Sequence, residues 1–139
     1  MPSDFEDQVK ADVKTYAQAL VQCLHRDLFD DHSREAAVGA LAYFVDEHDL
    51  VADNVPTVGL LDDALALVGA AKLLGEVHEL GAPLHRDRVL KDFSAYEEHS
   101  KMMMTNLGEV TLGSLAAQGR RVSDLEELLD KVNERLAEI

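Results

Sequence analysis

Phe5, Val9, Val13, Tyr16, Leu20, Leu24 and Leu28 recur at steps of three and four, so residues 5–28 read as one long helix with a buried face. Asp4, Glu6 and Asp7 stand in its first turn, where acids complement the helix dipole. No extended run alternates apolar and polar positions, as a half-buried strand requires. The rest of the chain repeats the helical message. Ser33 is read as the N-cap of a second helix reaching about Asp46, and a third runs from about Leu60 to Leu80. Gly81 and Pro83 then form a stop, since glycine permits a left-handed C′ residue and proline prevents continuation. A fourth helix follows over about 87–107. Gly108, Gly113 and Gly119 weaken the next segment, which is read as a short helix between looser ends. The last helix, about 123–138, opens on Ser123 and Glu126, spaced as a capping box. The expected fold is all-α: one domain over residues 1–139, a compact bundle of about five helices.

Between the second and third helices lies an acidic hinge. Asp49, Asp53, Asp62 and Asp63 cluster around Pro56 and Gly59, with apolar runs on both sides. One reading is structural: Asp53 forms an Asx-turn, while Asp62 and Asp63 cap the third helix where its N–H groups lack partners. The other is a hard-cation site, because Mg²⁺ or Ca²⁺ takes oxygen ligands and a hinge can bring acids from two helices together. The spacing lacks the Gly and closing Glu of an EF-hand loop, and no nucleophile or base is paired with the acids. Capping is therefore the preferred reading of all four, with no catalytic residue and no required cofactor.

Charge excludes more than it selects. The chain carries 27 acids against 13 Lys and Arg, a formal net charge of −14. Such a surface repels phosphates, so nucleic acid and anionic lipid are poor partners, whereas a basic protein suits it. Cys23 stands alone, which excludes an internal disulfide or a thiolate metal cluster and fits a reducing cytoplasm. The opening MPSDFEDQVK lacks the pattern of a secretory signal, and no apolar run approaches the length of a membrane span. The expected location is cytoplasmic, without direct membrane insertion.

Over residues 36–74 the chain resembles the YkvA family of small helical domains, whose activity is not established. Tyr43, Asp49, Leu50, Val51, Asp53, Pro56, Gly59, Asp62 and Asp63 stand where that family's Tyr, Asp, apolar pair, Asp, Pro, Gly and paired Asp stand. Ala52 and Glu47 occupy positions where the family usually has proline, which implies a less rigid hinge here. The resemblance implies a helical domain and carries no catalytic residues with it. Many of its members continue into membrane spans, so membrane contact here would run through a partner.

The remaining polar groups are scattered. His78 and His85 flank the Gly81 turn beside Glu76 and Glu79, a set that could hold a transition metal but whose spacing matches no known ligand motif. Met102, Met103 and Met104 point around a helix and are read mainly as core. Val122, Leu125, Leu129, Val132, Leu136 and Ile139 form a coiled-coil-like seam, which either packs on its own bundle or meets a partner or a second copy. The sequence thus favours a non-catalytic protein-interaction or assembly module using helix faces. The alternative is a divalent-metal protein, or a metal-assisted hydrolase, built on the acidic hinge.

Overall fold

Two helices of this chain are apolar around most of their circumference, and a helix of that kind must be surrounded. In a computed structural model, which describes residues 2–45, 56–81, 84–102 and 112–139, they form the centre. Six helices and no strand are found among those residues, in agreement with the all-α expectation: α1 (Pro2–His25), α2 (Asp31–Val45), α3 (Pro56–Gly75), α4 (Arg86–Met102), α5 (Leu112–Arg120) and α6 (Leu125–Glu138). Every residue from 63 to 71 of α3 is buried, as is the run from Ala36 to Leu41 in α2. α1 and α4 pack against α3, while α5 and α6 pack against α2. The core joins Val13, Tyr16 and Leu20 of α1 with Leu41 and Phe44 of α2 and Leu67, Val68 and Leu74 of α3.

The apolar stripe of α1 is buried as the periodicity predicts at Val9, Val13, Tyr16, Leu20 and Leu24. Its end comes three residues earlier than Leu28. Asp27 adopts φ 53°, its N–H donates to the Leu24 carbonyl at 3.1 Å, and the Leu28 N–H reaches the Cys23 carbonyl at 3.4 Å. That pair of bonds is a Schellman closure, normally built on glycine because a side chain is strained in the left-handed region. Asp27→Gly is therefore expected to raise unfolding free energy by about 0.5 kcal/mol. The loss of the Arg34 ion pair, 4.0 Å away and exposed, offsets little of this. Urea denaturation reads the difference, and a destabilised variant would contradict the strain argument.

Other helix boundaries also differ from the sequence reading, each for a local reason. Asp30 caps α2 in place of Ser33, accepting the Ser33 N–H at 2.7 Å. Asp124 likewise displaces Ser123 at α6, accepting the Glu127 N–H at 3.1 Å, so the Ser123–Glu126 capping box is not used. α3 starts at Pro56 rather than Leu60, since proline at the first helical position forfeits no bond. Asp62 and Asp63 consequently lie beyond the first turn, and the expectation that they cap α3 does not hold. α3 also stops at Gly75 rather than Leu80, and Leu80 folds back to 3.8 Å from where a Gly75 Cβ would stand. Gly81, at φ +79°, serves the following turn instead of the helix end.

Candidate functional site

The turn that leaves α3 and enters α4 borders a cleft of about 510 Å³. Ala71 and Gly75 of α3 line it with Leu80, Leu84 and Val89. Two large apolar side chains stand exposed at it, Val77 at 62% and Leu90 at 40% of full exposure. Polar groups also line the cleft. Lys72 lies 3.7 Å from Glu76 and 5.2 Å from the Phe93 ring centre, so both of its favourable contacts are already made. Glu79 and Arg86 add opposite charges. A cavity of this size, with mixed apolar and charged lining, is a candidate binding site.

The histidines at the cleft brace helix ends. His78 Nε2 lies 3.1 Å from Ser33 Oγ and 3.9 Å from an Asp30 oxygen, and its ring meets Phe29 edge-on at 5.4 Å. Ser, His and Asp together suggest nucleophilic catalysis, but there the carboxylate must hold the ring nitrogen opposite the hydroxyl. Here both oxygens face the same nitrogen, which makes a strut between α2 and the end of α3. The backbone N–H of Ser33, then its hydroxyl, hold the Asp30 carboxyl below its usual range, with His78 adding a smaller effect. His85 Nδ1 accepts the Asp87 N–H at 3.3 Å and so shapes the start of α4. Among the described residues no three His, Cys, Asp or Glu side chains converge to hold a metal.

The acidic hinge is only partly visible. Asp49 and Asp53 lie outside the described residues, and Asp62 is placed on α3 by its backbone alone. Asp63 is fully buried, and its Oδ2 accepts from Arg135 Nη2 at 2.8 Å, which ties α3 to α6. Arg135 also lies 5.0 Å over the Phe44 ring. One of the four carboxylates weighed as alternative cation ligands is thereby engaged by a guanidinium.

The C-terminal seam faces its own bundle. Val132 and Leu136 are buried, Leu128 joins them, and Val122, Leu125, Leu129 and Ile139 pack half-buried against the core. The side chains of Met102 to Met104 lie outside the described residues. Cys23 is buried with its thiol pushed up by desolvation, against a weaker opposing effect of Arg26, and so behaves as a small core residue.

Sequence reading missed a polar cluster between α1 and α4. Asp12 is buried on the apolar face of α1, where it accepts from the Tyr96 hydroxyl and, at 3.0 Å, from Gln8. The Tyr16 hydroxyl donates to Asp92 at 2.7 Å, and Arg88 lies 3.5 Å from each carboxylate. Burial first, and then the hydrogen-bonded carboxylate, push both phenols well above their ordinary range, so they stay neutral donors. A signal was present: Asp12 falls on the stripe between Val9 and Tyr16, and a buried carboxylate requires partners.

Residues 35–69 match the family described as "Protein of unknown function (DUF1232)". The match covers most of α2, the acidic hinge and much of α3, the two helices at the centre of the bundle. It coincides with the stretch that resembles the YkvA family, at the level of a domain of unknown function. No curated protein and no solved structure matches the chain. Among the described residues, no helix is long and apolar enough to cross a membrane.

Proposed function

We propose that this domain is a non-catalytic protein-binding module whose contact surface is the cleft at the α3–α4 turn. The observation that carries the reading is the coincidence of Val77 and Leu90, both exposed, on one cavity. Single exposed apolar residues need no explanation, but a pair rimming a cavity suits an inserted apolar anchor. The occupant that fits is a basic segment of a partner protein. A net charge of −14 steers cationic partners to the domain as a whole; at the cleft itself Lys72 and Arg86 balance Glu76 and Glu79, so the attraction is long-range.

Isotope-labelled protein titrated with a short peptide carrying a central Leu between lysines tests this. Amide shifts are expected to move at residues 72–81 and 84–90, with affinity falling as salt rises. Leu90→Glu is expected to weaken binding at least about tenfold. An equal response to a Glu-flanked peptide would overturn the basic partner. No response in the cleft, or a dimer in sedimentation that Leu90→Glu abolishes, would overturn the assignment of the cleft to a different protein.

A further inference from the structure

One wall of the cleft is α4, and α4 is held differently from the other helices. Among its described side chains only Val89 and Tyr96 are buried, with Asp92 and Phe93 half-buried. Its link to α1 is a reciprocal exchange. α1 offers Asp12 to Tyr96 of α4, and α4 offers Asp92 to Tyr16 of α1, while Arg88 reaches toward both carboxylates. Directional bonds of this kind are lost together once the two helices separate by a fraction of a hydrogen-bond length, whereas broad apolar contact yields gradually.

We propose that α4 opens as a unit from α1 and α3, with the Asp12–Tyr96 and Tyr16–Asp92 pairs as its latch. Because Val89 and Leu90 travel with α4, opening widens the cleft against Ala71 and Gly75 of α3. The link to binding rests on the cleft being the contact surface; the opening itself does not. Segments with little buried apolar surface form the low-stability cooperative units of a native protein.

Hydrogen exchange of the full chain, without any peptide, tests the opening. After correction for intrinsic rates, amides of 89–98 are expected to exchange at least about tenfold faster than those of 64–74, with a weaker dependence on urea. Tyr96→Phe is expected to speed exchange of α4 about tenfold further and of 64–74 by a similar factor, because both local opening and global unfolding release that bond. Equal protection and equal urea dependence of α4 and α3 in the wild type would overturn the proposal, even if the variant fails to fold. An acceleration of 64–74 with α4 unchanged in Tyr96→Phe would also overturn it, because the pair would then survive the opening of α4 and be no latch. Failure of the peptide titration leaves the exchange result standing, so the two ideas fail separately.

Discussion

Gly119→Ala and Gly39→Ala are each expected to lower unfolding free energy by about 3 kcal/mol or more. Helix propensity alone argues the reverse, since both glycines lie inside helices and alanine is favoured there by about 1 kcal/mol. Geometry decides the sign. A Cβ at Gly39 would stand 1.7 Å from the Leu115 carbonyl oxygen, and one at Gly119 would stand 1.9 Å from that of Glu35. The obstacles are backbone atoms, so no rotamer change relieves them and α5 must move off α2. The Arg120–Glu35 pair beside this crossing, at 2.9 Å, is largely exposed and cannot hold a displaced helix. Gly75→Ala is the internal control, because its new methyl would meet only the Leu80 Cδ1 at 3.8 Å. Urea denaturation of the three variants separates the effects. A neutral or stabilised Gly119→Ala would mean that α2 and α5 are not in backbone contact.

Those two glycines also mark the limit of what the sequence made legible. Helix existence and the face of α1 were readable, because an amphipathic helix writes its buried side into its own period. α2 and α3 have no such side; their uniform apolarity says that they are surrounded but not by which helices. Gly119 was read as weakening its segment, since propensity is local and its packing partner lies some 80 residues earlier. The caps were misplaced by three residues at α2 and one at α6, where a second suitable oxygen stood nearby. Pro56 moved the start of α3 and with it the meaning of Asp63. At the cleft, the polar cast of Glu76, His78, Glu79 and His85 was visible around Gly81, but Val77 and Leu90 carry no local signal. Only the folded turn separates them from the core.

Arg135→Met is expected to cost about 3–5 kcal/mol, and more than Asp63→Asn. The asymmetry follows from where each partner sits. Asp63 is at 0% exposure on the central helix α3, so its carboxylate cannot reach water once the guanidinium is gone. Arg135 retains 29% exposure on the outer helix α6, and its long stem lets the charge swing toward solvent when Asp63 is neutral. Arg135→Met also removes the guanidinium from the Phe44 face, a contact worth about 1 kcal/mol, while preserving most of the apolar stem. The double variant Asp63→Asn with Arg135→Met should therefore lose less than the sum of the single losses, since it leaves neither charge in the interior. A cycle of denaturation curves on the four proteins measures that coupling. If Asp63→Asn proved the costlier single change, or the losses simply added, the pair would not be what fastens α6 to the centre of the bundle. The C-terminal helix would then be held by its apolar contacts, chiefly Leu128, Val132 and Leu136.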